Sequence, residues 1–204
     1  MTAESAARRG RPRQFDRNQV LRKAMHLFWE RGFEATSLGD LTCTLGLTAT
    51  SIYAAFGSKE LLFKEAVELY VADDGDAVWR ALTRPGHCRD ALREMLCDTV
   101  KVMCDTSSPR GCLVVMGDRG ISSSGDAIKL FLQRWRAKAR DQLRMRFRRA
   151  VNEGELSPTT NAAAVAGMVM VFLNGISVES ADGVPEQELM AAVEVFLSSW
   201  MWIG

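Results

Sequence analysis

Residues 36–59 read TSLGDLTCTLGLTATSIYAAFGSK, and their spacing decides the fold. Leu38, Leu41 and Leu45 recur at helical intervals on one side of a first segment. Gly46 then supplies a turn, because glycine takes a positive φ that side chains resist. Thr48 offers a hydroxyl N-cap to a second segment, whose apolar Ile52 and Phe56 lie four apart. Gly57 interrupts that segment and Ser58 caps a third. Two short helices set steeply about a glycine-containing turn make a helix-turn-helix, whose second helix enters a DNA major groove. The stretch predicts double-stranded DNA as a partner.

Helical spacing continues on both sides. Upstream, Asp16 can cap a helix running to about Arg31, with Val20, Ala24, Leu27 and Phe28 as its apolar stripe and Gly32 as its stop. Downstream, the helix opened by Ser58 carries Leu61, Leu62, Ala66, Leu69 and Tyr70, and either ends within 73–76 or runs through to Leu82. Pro85-Gly86 marks a boundary. A helix over about 88–105 presents Leu92, Leu96, Val100 and Met103, and residues 106–125 form an irregular connection around the apolar 112–116. A long amphipathic helix over about 126–152 carries Ile128, Leu132, Trp135, Leu143 and Phe147 on one face and stops at Gly154. Two more helices cover about 160–180 and 185–203. With no strand-like alternation and no internal repeat, the fold class is all-α.

Composition narrows the setting. A chain of 204 residues with 47% hydrophobic content can bury a core. No apolar run reaches the ~18 residues needed to span a bilayer; the longest, 162–178, is interrupted by Gly167, Asn174 and Gly175. The N-terminus has an arginine cluster followed by polar residues rather than a signal peptide's apolar core, so a cytoplasmic protein without membrane contact is expected. Residues 1–64 hold ten Lys and Arg against six Asp and Glu, whereas the rest of the chain is net negative. That asymmetry suits a localised phosphate-binding surface. Five cysteines form no C-x-x-C pair, and the two histidines, His26 and His87, are far apart. Neither a metal site nor a cofactor is expected from that inventory. No nucleophile–base–orienter set is evident either, so an enzyme is only a distant alternative, with His87 as its most available base.

The pattern TSLxxLTxxLGLxxxSIYxxFGSKExLF, read from Thr36 to Phe63, resembles the DNA-binding domain of the TetR/AcrR family of bacterial transcriptional regulators, and the resemblance extends upstream to Phe15. It implies a flexible basic arm over 1–14 and a helix-turn-helix domain over 15–60, continuing into a connecting helix to about 82. A helical ligand-binding and dimerisation domain would follow over 83–204. Carried over by position, it implies phosphate contacts from Thr36, Ser51, Tyr53 and Lys59, and base-facing positions at Ala49, Thr50 and Ala54. Lys59 would act with the N-terminal dipole of its helix on one phosphate. Thr50 stands where many members have proline, and Ala54-Ala55 replace bulkier residues. The groove-facing helix thus lacks Arg, Asn or Gln for a bidentate base contact, so methyl contacts to thymine and shape readout must supply much of the discrimination. Arg9, Arg11 and Arg13, around an Arg-Gly-Arg-Pro turn like the core of AT-hook peptides, are candidates for a minor groove.

The remaining two thirds resemble the family in length, helical character and a Gly-Cys-Leu-Val-Val element at 111–115. The resemblance implies a homodimeric repressor released from a palindromic operator by a small-molecule effector. Candidate effector contacts are Trp79, Leu96, Met103, Cys112, Phe131, Trp135 and Phe172, whose character suggests an apolar ligand. Ala164, Met168, Phe172, Val193, Phe196, Leu197 and Trp200 are assigned to a four-helix dimer interface. An alternative replaces the ligand by oxidation of Cys112, whose thiol pKa the adjacent Arg110 would lower. Most of the basic residues of the long helix, Arg134 to Arg149, read as a solvating face, with some left to pair with acidic residues elsewhere.

Overall fold

The computed structural model describes residues 15–120 and 126–199. Its elements are α1 (Arg17–Ala35), α2 (Leu38–Leu45), α3 (Ala49–Phe56), α4 (Lys59–Tyr70), α5 (Asp76–Arg80), α6 (Cys88–Cys104), α7 (Leu113–Met116), α8 (Asp126–Asn152), α9 (Ala162–Ala181) and α10 (Glu186–Ser198). Among the described residues there is no strand. The protein is all-α, with an N-terminal helix-turn-helix and a helical C-terminal part.

The starts follow side-chain capping. Asp16 accepts from the amides of Asn18 and Gln19, and Thr48 and Ser58 accept from Ser51 and Leu61. Asn161 caps α9 in the same way. Each hydroxyl, carboxylate or carboxamide oxygen satisfies an amide that has no partner within its helix. Gly32, read as the end of α1, departs from helical geometry (φ 77°, ψ 169°), and one further turn to Ala35 follows it. The chain after α4 widens into a π-turn over Val71–Gly75 and then resumes as α5 and a 3-10 turn at Ala81–Thr83, so the connecting helix runs through. Spacing alone carries the last helix to 203; α10 closes at Ser198, and residues 200–204 lie outside the described residues.

Two hydrophobic clusters organise the chain. The first gathers α1 to α4 around Phe28, whose ring meets Phe63 edge-on at 5.1 Å, while Phe33 meets Phe63 at 5.2 Å. Leu113 and Val114 of α7 and Ile128 and Leu132 of α8 complete this cluster. The helix-turn-helix is therefore sealed from beneath by residues far along the chain. The second cluster lies between α6, α8, α9 and α10. Removing a ring such as Phe63 or Phe147, both fully buried, would cost about 3–5 kcal/mol.

This layout corrects three assignments. Leu96 is wholly enclosed in the second cluster and does not reach the cavity. Val193 and Leu197 have no accessible surface, because α10 turns that face inward onto the second cluster. They cannot meet a second chain.

Candidate functional site: nucleic-acid interface and cavity

The turn between α2 and α3 is built from reciprocal bonds. Ser37 and Asp40 form a capping box at the start of α2, and Arg31 donates to the outer Asp40 oxygen at 2.9 Å. The hydroxyl and amide of Ser37, with Arg31 beside them, hold the Asp40 carboxyl below the usual carboxylate range. Gly46 sits in the left-handed region (φ 65°, ψ 29°) and ends α2, turning the chain into α3. Ile52 and Phe56 anchor α3 from below. The opposite face presents Thr50, Tyr53 and Ala54 to solvent, with Ala49 and Ser51 half-buried beside them.

The polar groups of this surface differ in readiness. Tyr53 is 45% exposed. Ser51 shares a 2.9 Å hydroxyl bond with Thr48, which orients it at the first turn of α3. Lys59, half-buried, carries its ammonium 4.4 Å from the centre of the Phe33 ring. Burial pulls its pKa down, against the pull of Glu34, Glu60 and Asp40. Thr36 departs from its assignment. It is fully buried and its Oγ1 donates to the carbonyl of Gly32 at 2.7 Å, so its hydroxyl secures the α1–α2 corner rather than a phosphate. Arg9, Arg11 and Arg13 lie outside the described residues.

One positioning residue escapes sequence reasoning. Arg17 bonds Glu65 at 2.7 Å, lies 4.5 Å above the Phe56 ring and donates to Ala55 O at 3.4 Å. It pins the C-terminal end of α3 to α1 and α4. Its partners lie 38 and more residues away, so no local pattern could have revealed it.

Behind the interface, α6, α8 and α9 enclose a cavity of about 200 Å³. Each helix contributes one face: Thr99, Val102 and Met103 from α6; Trp135, Lys138, Ala139 and Gln142 from α8; Met170, Leu173 and Asn174 from α9. These intervals of three, four and seven place the side chains on single stripes. Tyr70, Trp79 and Cys112 close the remaining sides. Of the expected effector contacts, Trp79, Met103, Cys112 and Trp135 line the cavity. Phe131 and Phe172 do not: Phe131 packs toward the first cluster, and Phe172 stacks on Phe196 at 4.3 Å. Tyr70, Gln142 and Asn174 join the wall unannounced by the motif. The α8 spacing from Trp135 could have signalled Gln142.

The segment 111–117 joins cavity to interface. Its backbone is held from the C-terminal side, where Ser180 and Ser177 hydroxyls accept from the amides of Gly111 and Cys112 at 3.1 and 2.9 Å. From the N-terminal side, Trp29 Nε1 donates to Gly111 O at 3.1 Å and the Phe33 amide donates to Gly117 O at 3.1 Å. Gly111 has φ 84°, and a Cβ there would stand 2.8 Å from Ser177 O, so only glycine fits. Cys112 is not activated. Burial pushes its thiol up, outweighing Tyr70 and the more distant Arg136, while Arg110 turns its guanidinium toward Gly183. The thiol-oxidation alternative consequently has no support.

The basic face of α8 is not uniform. Arg134, Lys138, Arg140 and Arg148 are exposed or nearly so, as a solvating face requires. Arg136 instead donates to Val114 O at 2.7 Å and pairs with Asp118 at 3.0 Å. Arg146 is 3% exposed and bonded to Gly86 O and Glu155, one of the basic residues of this helix that pair with an acidic partner elsewhere. Among the described residues, no group of three or more His, Cys, Asp or Glu could hold a metal ion.

On the far side, α9 shows an uncovered apolar stripe. Ala164, Met168, Val171 and Val178 are exposed at intervals of three, four and seven, Val171 at 74%, and Val195 of α10 is 70% exposed. By length and composition α9 is apolar enough to cross a membrane, with 39% of its most apolar window buried within the fold. Trp200 lies outside the described residues.

Residues 20–66 match the family model described as bacterial regulatory proteins, tetR family. The chain is 30% identical over 195 residues to the HTH-type transcriptional repressor ComR of Escherichia coli K12, covering 94% of this chain and 92% of that one. It is also 30% identical over 158 residues to the uncharacterized HTH-type transcriptional regulator YezE of Bacillus subtilis 168, covering 77% of this chain and 81% of that one. Among solved structures, a cysteine mutant of the TetR family transcriptional regulator CifR, complexed with 26bp double-strand operator DNA, superposes with a TM-score of 0.89 at 37% identity. The match covers 93% of this chain and 100% of that one.

Proposed function

The chain belongs to the tetR family of bacterial regulatory proteins, a family of transcriptional regulators rather than enzymes, and from that premise we propose that it is a homodimeric repressor released from its operator by a small molecule. The α3 helix would lie in the major groove, with Ser51, Tyr53 and Lys59 on phosphates and Ala49, Thr50 and Ala54 toward the bases. Arg9, Arg11 and Arg13 would follow the adjacent minor groove. The protein would act in the cytoplasm, where its operator is. The relatives support this reading: ComR is named a repressor, and CifR is solved on operator DNA.

The single observation that carries the release mechanism is the double attachment of segment 111–117. Cys112 lines the cavity while the carbonyls of Gly111 and Gly117 accept bonds from Trp29 and Phe33 of α1. A ligand that displaces Cys112 would shift α1 and, through the Phe33 ring, Lys59. Its differential affinity for the two arrangements sets the limit of the response.

Dimerisation is supported by the α9 stripe of Ala164, Met168 and Val171, joined by Phe172 and Phe196 at its edge. Two such stripes face to face would give a symmetric interface and place two α3 helices on successive major grooves. Sedimentation of the wild type and of Val171→Asp, with gel shifts on the intergenic DNA beside the gene, tests the proposal. The wild type should sediment as a dimer and bind. A wild-type monomer, or a Val171→Asp variant that dimerises and binds unchanged, would refute it.

A further inference from the structure

The chemistry of the cavity wall identifies the kind of molecule that fits it. Its volume of about 200 Å³ exceeds the ~150 Å³ of an engineered cavity that holds benzene, so one ring with a short substituent is accommodated. Trp79 and Trp135 supply flat apolar surface. Of the two cations at the wall, one is paired and the other is exposed to solvent. Arg136 is committed to Val114 O and Asp118, and Lys138 is exposed with its ammonium 4.9 Å from the Trp135 ring. An anion drawn inside would have to shed its water and compete with Asp118 for the Arg136 guanidinium, a cost that a neutral oxygen avoids. Thr99 is spent on Met95 O. By contrast, Gln142 and Asn174, on facing helices α8 and α9, make no hydrogen bond among the described residues, and both line the cavity. Each carboxamide offers donors and an acceptor. Burial of the Cys112 thiol disfavours its thiolate, and so does not favour a covalent adduct.

We propose that this cavity takes a neutral, single-ring aromatic molecule bearing a carbonyl or hydroxyl group, with the ring against Trp79 and Trp135 and the oxygen on the Gln142 and Asn174 carboxamides. The identification rests on the effector reading above and narrows it to a chemical class.

Calorimetric titration of the full chain with acetophenone, benzyl alcohol, benzamide, toluene and benzoate at neutral pH tests it. Acetophenone, benzyl alcohol and benzamide should bind, with benzoate at least about tenfold weaker because its carboxylate is ionised there. Gln142→Leu with Asn174→Leu should weaken acetophenone by about tenfold, the loss of its hydrogen bonds. Toluene, which makes none, should bind the variant as it binds the wild type, showing the cavity intact. Benzoate binding as tightly as acetophenone overturns the proposal. So does acetophenone affinity unchanged in a variant that still binds toluene, or failure of all three oxygenated compounds to bind the wild type. A parallel gel shift separates the two readings. Retained operator binding without any aromatic binding removes the ligand class alone, whereas acetophenone bound in the cavity with no effect on DNA removes the effector role alone.

Discussion

The indole nitrogen of Trp29 donates to the carbonyl oxygen of Gly111 at 3.1 Å, joining residues 82 apart in the chain. The same indole meets the Tyr70 ring edge-on at 4.7 Å, and Tyr70 in turn lines the cavity. One side chain thereby touches both the turn that carries Cys112 and the cavity wall itself. Trp29→Phe keeps an aromatic ring but leaves a buried carbonyl without this donor. Urea unfolding should show a loss of about 1–3 kcal/mol. Release from DNA by a bound effector should also weaken, as read by gel shift at fixed ligand.

Gly111→Ala should be among the most damaging single-methyl additions in the chain. Its Cβ would stand 2.8 Å from Ser177 O at φ 84°. Backbone strain alone costs roughly 1–3 kcal/mol, and at this chain length roughly 2–4 °C of melting temperature follows each kcal/mol. Gly120→Ala, also at positive φ but with nothing within 4 Å, should be milder. Thermal melts of the two variants give the comparison, and equal losses would contradict the packing described.

Thr36 and Lys59 should separate cleanly in DNA binding. Lys59→Met removes a cation from the surface beside α3, so the salt slope of operator affinity should fall by about 0.9. Thr36→Val removes a buried bond to Gly32 O and should instead cost about 1–2 kcal/mol of stability with an unchanged slope. Affinity measured across a salt series, beside urea unfolding, reads both effects.

The thiols should differ in reactivity. Cys43 is exposed on α2, whereas burial pushes Cys88 up to about 11. At pH 8 only about one Cys88 in a thousand would be thiolate. Mass spectrometry after brief alkylation should find Cys43 modified and Cys88 and Cys104 untouched.

Acid should weaken the helix-turn-helix through Asp40. Its folded pKa lies below the ordinary 3.8, so its contribution is complete above that value and is lost as pH falls through the lower folded value. Glu60 and Asp105 carry shifts of the same sign. Asp40→Asn should therefore flatten part of the stability loss below pH ~4 without abolishing it, as measured by urea unfolding against pH.

What is legible in the sequence follows from distance along the chain. Caps at Asp16, Thr48 and Ser58, the Gly46 turn and the 126–152 helix rest on neighbours within a few residues, and the structure has them where the spacing puts them. Thr36 misleads because a motif conveys residue type but not burial. Val193 and Leu197 mislead because apolar spacing on α10 cannot say whether its own subunit or another covers that face. Trp29 with Gly111, and Arg17 with Phe56, depend on elements meeting from opposite ends of the fold, and no local spacing encodes such meetings.

Leu113, Val114, Ile128 and Leu132 beneath the helix-turn-helix bear on how this protein can be rebuilt. A chimera that took residues 15–83 alone would leave the cluster around Phe28 and Phe63 without these four residues. To keep its shape, the grafted segment would need a recipient with counterparts of α7 and the first turns of α8, so exchange of the C-terminal part is confined to partners that already share this floor.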